Sequence, residues 1–164
     1  MPLTELQKQF IWLAHGEQMK FSDIEKELKV SRAQLSEWDK ELKKEWTEIA
    51  EIRKVYVQKN IKADFKAFYD WFSVQQNDKK CAYCGITEQE IEQAFADNKI
   101  GTKRGRGKKL ELDRKEPESP YDNFDNIVYA CYWCNNAKTD TFSHTEFLQV
   151  GKVLRSIWKE RGVK

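Results

Sequence analysis

Two Cys-x-x-Cys pairs constrain this chain more than any other feature. They are Cys81-Ala82-Tyr83-Cys84 and Cys131-Tyr132-Trp133-Cys134, and they use all four cysteines of the 164 residues. Two-residue spacing lets both thiolates of one turn face a single ion, and two such turns complete a tetrahedron. The alternatives are two disulfides or four unconnected thiols. Disulfides need an oxidising compartment. The first 20 residues place Glu5, Gln7 and Lys8 among the apolar ones, which is not a signal-peptide layout. The spacing therefore points to a four-thiolate site, with zinc favoured over a mononuclear iron of the same geometry. The 46 residues between Cys84 and Cys131 exceed what a short zinc finger needs. Something besides the metal site is built inside that gap.

At 19.5 kDa the chain is one compact unit or two small ones. Hydrophobic residues make up 40% and charged residues 34%, enough for a modest core under a strongly solvated surface. Mean hydropathy is −0.83. No apolar run approaches the roughly 20 residues that span a bilayer, so the expected setting is the cytoplasm of a bacterial or phage-infected cell, away from membranes. The net charge of +2 comes from 29 basic and 27 acidic residues, spread over both halves. Any nucleic-acid contact must then come from local patches, because the bulk field is too weak to steer it.

The first 44 residues read as a helical cluster. Thr4 with Gln7 has the pattern of a capping box, and Leu6, Phe10, Leu13 and Ala14 follow at helical spacing until Gly16. Ser22 with Glu25 opens a second helix bearing Ile24 and Leu28. Lys29-Val30 makes a short turn, and Ser31 with Gln34 caps a third helix bearing Leu35, Trp38 and Leu42. Two short helices around a turn plugged by Val30 have the layout of a helix-turn-helix. The stretch FSDIEKELKVSRAQLSEW, residues 21–38, resembles the DNA-binding segment of phage terminase small subunits and related regulators. Arg32, Gln34 and Ser36 would then face DNA, since Arg and Gln read base edges in a major groove. The competing reading is a helical cap with a solvated face, which acidic Glu37 and Asp39 favour.

From residue 43 to 76 no proline or glycine occurs, and Trp46, Ile49, Ile52, Tyr56, Ile61, Phe65, Phe68 and Phe72 recur at a helix period, with a break near Asn60. This is read as a connecting helix whose second half packs beneath the metal domain. Residues 87–96 form a further helix with Ile91 and Phe95 on one face. Residues 98–109, NKIGTKRGRGKK, then hold Lys99, Lys103, Arg104, Arg106, Lys108 and Lys109 with three glycines and no acid. A glycine-spaced basic loop can lie along a phosphate backbone. Without a ligand it reads equally as a disordered, solvated loop. Leu110-Glu111-Leu112-Asp113 alternates as a short strand, Pro117 and Pro120 fall in a loop, and residues 127–130 form a second strand that feeds the second cysteine pair. A helix beginning at Asn135 completes a ββα unit.

This order of residues resembles the HNH family of His-Me finger endonucleases. The likeness rests on the Cys81 and Cys84 pair, on LELDRKEP at 110–117 and on YDNFDNIVYACYWCNNAK at 121–138. It implies an α+β, mainly helical fold: an N-terminal helix-turn-helix cluster, a long connecting helix, a zinc-stabilised ββα finger and a C-terminal helix. It also implies that Cys81, Cys84, Cys131 and Cys134 hold a structural zinc. Asp113 and Asn135 would bind a catalytic Mg²⁺ or Mn²⁺ ion, and Asn126 would hold the loop shape. Lys138, one helical turn after Asn135, would reach phosphate or a neighbouring carboxylate.

One position departs from the family. The residue after the Asp is usually the histidine that deprotonates water, and here it is Arg114, which cannot act as a general base at neutral pH. His15 lies far off in the first helix. His144 follows Ser143, which with Glu146 opens the last helix, and it reads as an exposed first-turn residue. Glu111, two residues before Asp113 on the same strand face, could take a proton only with a raised pKa.

The expected division is a DNA-recognition module over 1–44, a connecting helix over 45–77 and a zinc-binding nuclease-like domain over 78–164. Three functions are compatible with it: a metal-dependent DNA endonuclease, a non-catalytic DNA-binding protein that keeps the finger as a grip, and an accessory module of a larger nuclease or packaging complex. Whether the chain acts as a homodimer or with a partner protein is open at this level. Retention of both Asp113 and Asn135 favours catalysis.

Overall fold

The computed structural model describes residues 2–76 and 79–163. The chain forms two compact units, Met1–Val74 and Gln75–Lys164. It is mainly helical, with eight α-helices and one two-stranded sheet among the described residues. No helix there is long and apolar enough to cross a membrane.

In the first unit, α1 (Glu5–Ile11) starts from the expected capping box. Thr4 Oγ1 accepts the Gln7 N–H at 3.2 Å, and Gln7 Oε1 accepts the Thr4 N–H at 2.9 Å. The helix then widens into one π-turn, Trp12–Gly16, where a Cβ on Gly16 would sit 2.9 Å from the Trp12 ring. Three helices follow: α2 (Phe21–Leu28), α3 (Arg32–Glu41) and α4 (Lys43–Gln58). Phe10, Ile24 and Leu35 are fully buried where α1, α2 and α3 meet, with the Phe21 ring edge-on to Phe10 at 5.6 Å. Leu6 stays 45% exposed, since the apolar face of α1 is covered only from Phe10 onward.

Two local expectations change here. Ser22 does not cap α2, which begins one residue earlier, at the Phe21 that packs on Phe10. Glu25, freed from that role, accepts the backbone N–H of Arg32 at 3.1 Å and so helps start α3. The connecting helix is two helices, α4 and α5 (Phe65–Gln75), broken where Asn60 takes a left-handed φ of 53°. Phe65 stacks on Trp12 at 5.7 Å and meets Tyr56 edge-on at 5.3 Å. The packing of Phe65 that the sequence assigned to the metal domain is thus made within the first unit.

The second unit starts from the first cysteine turn. The Cys81 N–H donates to the Ile86 carbonyl at 2.9 Å and the Gly85 N–H to the Cys81 carbonyl at 2.8 Å. Gly85 supplies the φ of 71° that this turn needs and that side chains resist. Helix α6 (Glu88–Ala96) follows with a Thr87–Glu90 capping box. Strands β1 (Glu111–Arg114) and β2 (Ile127–Ala130) pair antiparallel, with Asp113 opposite Val128 and Arg114 opposite Ile127. Then come α7 (Tyr132–Lys138) and α8 (His144–Glu160). Helix α7 begins at Tyr132 rather than Asn135, because Cys131 itself is the N-cap.

Backbone contacts join these pieces. The Ala82 N–H donates to the Tyr129 carbonyl of β2 at 2.8 Å, and α8 crosses the cysteine turn at Gly151. A Cβ at Gly151 would come 2.5 Å from the Tyr83 carbonyl oxygen, which cannot swing aside. Gly151→Ala is therefore expected to destabilise the second unit by about 1–3 kcal/mol through overpacking, a loss of several degrees in a thermal melt.

Candidate active site and metal centre

The four cysteine Sγ atoms lie within 4.8 Å of one another, all on buried residues and all unbridged. Cys84 Sγ and Cys131 Sγ are 3.7 Å apart. Ligands about 2.3 Å from a zinc ion at the corners of a tetrahedron stand about 3.8 Å apart, close to the Cys84–Cys131 separation, so the donor set suits that ion. Hydrogen bonds from Cys131, then Cys134 and Cys84, hold the Cys81 thiol far below its ordinary pKa. The Cys134 thiol is pushed up by Cys131, Cys81 and Cys84. Four sulfurs this close cannot all ionise without a cation among them. The cluster is positioned to hold a metal ion.

The residues of the ββα unit meet beside it. Strand alternation puts Glu111 and Asp113 on one face of β1 and Arg114 on the other. Asp113 is 7% exposed, and its Oδ2 accepts the Tyr83 hydroxyl at 2.5 Å. Lys138 Nζ, on the last turn of α7, stands 3.5 Å from the same oxygen and donates to the Arg114 carbonyl at 2.7 Å. Lys138 is 1% exposed, a fully buried cation whose charge Asp113 balances. One turn earlier, Asn135 Nδ2 donates to Glu111 Oε2 at 2.7 Å. Asp113 Oδ1 and Asn135 Oδ1 take no hydrogen bond among the described residues. Each residue is pinned by one end of its side chain and offers an oxygen at the other.

Asn126 closes the loop between the strands at two points. Its Oδ1 accepts the Glu116 N–H at 2.9 Å and its Nδ2 donates to the Glu116 carbonyl at 3.1 Å. Arg114 stands apart from Asp113: its Nη2 pairs with exposed Asp140 at 2.9 Å, and its guanidinium lies 5.1 Å from the centre of the Tyr121 ring. His144 is half-buried, not exposed as its place in the first turn of a helix suggests. Its ring lies 5.2 Å from that of Tyr83, and its Nδ1 is buried with no partner among the described residues. Burial first, then Lys115 and Lys138, hold its pKa below the ordinary 6.5, partly opposed by Asp113 and Glu116. Tyr83 has no counterpart in the sequence reading. A hydroxyl between two cysteines carries no signal that it reaches a carboxylate 30 positions later.

The basic loop is built rather than loose. The Gly105 N–H donates to the Thr102 carbonyl at 3.1 Å, Thr102 Oγ1 donates to the Arg106 carbonyl at 2.9 Å, and Gly107 packs against Tyr132 at the start of α7. Lys103, Arg104, Arg106, Lys108 and Lys109 are exposed on it. Lys99 leaves the patch: it pairs with Asp97 at 3.0 Å and donates to the Gly162 carbonyl at 2.9 Å. On α3 of the first unit, Arg32 is exposed, while Gln34 Nε2 donates to Glu37 at 2.9 Å and Ser36 is half-buried.

No family model matches the chain, and no curated protein sequence matches it. A solved structure does. The rare-cutting HNH restriction endonuclease PacI matches with a TM-score of 0.52 and 23% identity, over 70% of this chain and 78% of that one. The two chains share a fold.

Proposed function

We propose that this chain is a divalent-ion-dependent DNA endonuclease of HNH type, hydrolysing phosphodiester bonds. The observation that carries the reading is the pair of pinned side chains with unshared oxygens, Asp113 on β1 and Asn135 on α7. Mg²⁺ or Mn²⁺ held there would stabilise the scissile phosphate and the leaving 3′ oxygen. Lys138, 3.5 Å from Asp113 Oδ2, holds that carboxylate in place. Zinc on the four cysteines is structural, because it joins the turn before α6 to the N-cap of α7. DNA is gripped by Lys103, Arg104, Arg106, Lys108 and Lys109 on the built loop. Arg32, Gln34 and Ser36 contribute from α3, the second helix of a helix-turn-helix.

His144 replaces the missing base. Its depressed pKa keeps the imidazole neutral at pH 7, and a neutral imidazole can take a proton from water. His144→Ala is expected to slow cleavage by about 10²–10⁴-fold. The sign with pH follows: a base must be deprotonated, so the wild-type rate climbs with pH through a midpoint below 6.5 and levels off above it. A pH profile checks this, and the rising limb should vanish in His144→Ala. Arg114, bound to an exposed carboxylate that a phosphate can displace, then serves as a charge partner for the DNA backbone.

The other reading, a DNA-binding protein that has lost catalysis, draws on that same Arg114 in the usual position of the base. Supercoiled plasmid separates the two. The nuclease reading requires nicking with Mg²⁺ or Mn²⁺ that EDTA abolishes; DNA retention without nicking supports the grip.

A further inference from the structure

We infer that Tyr83 is a positioning residue that makes catalytic-ion binding at Asp113 depend on the four-cysteine centre. The inference rests on the nuclease reading and adds a dependence of its ion site. Tyr83 is held on both sides by metal cysteines, Cys81 and Cys84, and is 5% exposed. Its ring is fixed edge-on to Phe147 at 5.1 Å, and its backbone is overlain by Gly151 of α8. The hydroxyl has little freedom left. It donates to Asp113 Oδ2 at 2.5 Å, which sets the carboxylate's rotation and leaves Oδ1 open. Partners that orient a ligating carboxylate in this way are worth about 10–100-fold in ion affinity. The cysteine turn therefore does more than hold the fold: it aims the ligand of the second ion. A centre stripped of its metal loses that aim.

The test is Mn²⁺ titration of zinc-loaded wild type, Tyr83→Phe and Asp113→Asn, followed by the electron paramagnetic resonance of free Mn²⁺. Phe keeps the ring packing and removes only the donor. The expected result is one Mn²⁺ site per wild-type chain, bound about 10-fold more weakly by Tyr83→Phe and lost in Asp113→Asn. Zinc content and melting temperature of Tyr83→Phe should match wild type. Its nicking rate should return toward wild type at saturating Mn²⁺, which a general loss of structure would not allow. Wild-type affinity in Tyr83→Phe overturns the inference and leaves the nuclease reading standing. Loss of zinc from Tyr83→Phe also overturns it, because the hydroxyl would then be holding the fold instead. A wild type that binds no Mn²⁺ sinks both.

Discussion

Cys131→Ser is expected to unfold the second unit at ordinary temperature. A filled four-thiolate zinc site supplies folding free energy on the order of 10 kcal/mol, against a total of about 5–15 kcal/mol for a typical domain. Cys131 has a second role here, as N-cap of α7, the helix that carries Cys134, Asn135 and Lys138. Removing its thiolate weakens the metal centre and releases the helix that completes the ββα unit. The core of the first unit contains Phe10, Ile24 and Leu35 and no cysteine. Circular dichroism should show part of the helical signal lost and a separate melt retained. Metal analysis should find one zinc per wild-type chain and less than one in the variant.

Asp113→Asn is expected to lower single-turnover cleavage by about 10³-fold, roughly 4 kcal/mol of barrier, without loss of zinc. The amide keeps an oxygen for the Tyr83 hydroxyl but lacks the charge that holds a hard cation. Asp113→Ala is a different experiment. Both variants remove the counter-charge of Lys138, 1% exposed, but the alanine also leaves Tyr83 without its acceptor. Breaking a buried pair on one side costs about 3–5 kcal/mol, so both variants should lose stability, the alanine variant more. Asn135→Ala frees only the exposed Glu111 carboxylate, and its cleavage loss should come with little change in melting.

The cysteine cluster and the ββα order were legible because both depend on short-range spacing. Two residues between cysteines, alternation in residues 110–113 and the Ser143–Glu146 box are local patterns that survive in a single sequence. Helix starts were less legible where tertiary contacts compete with capping. Phe21 on Phe10 moved the start of α2, and Cys131 took over as the cap of α7. The split of the connecting helix was foreshadowed by Asn60. The side Phe65 packs on was not, since an apolar stripe names no partner.

In the candidate site, the sequence pattern singles out Asp113 and Asn135 but not what surrounds them. Tyr83 and His144 approach Asp113 from opposite ends of the unit's sequence, and only the crossing of α8 over the cysteine turn unites them. The burial of Lys138 was equally hidden, because lysine at a helix end ordinarily reads as solvated.

The role proposed for the pinned pair of Asp113 and Asn135, holding the ion that cuts DNA, is measured most directly by single-turnover nicking. Supercoiled plasmid in Mg²⁺ is given to zinc-loaded wild type and Asp113→Asn prepared side by side. Wild type should nick it in a way that EDTA stops, the variant should be about 10³-fold slower, and both should retain DNA equally. Equal nicking rates for the two proteins, or a wild type that retains DNA and never nicks it, would contradict that role.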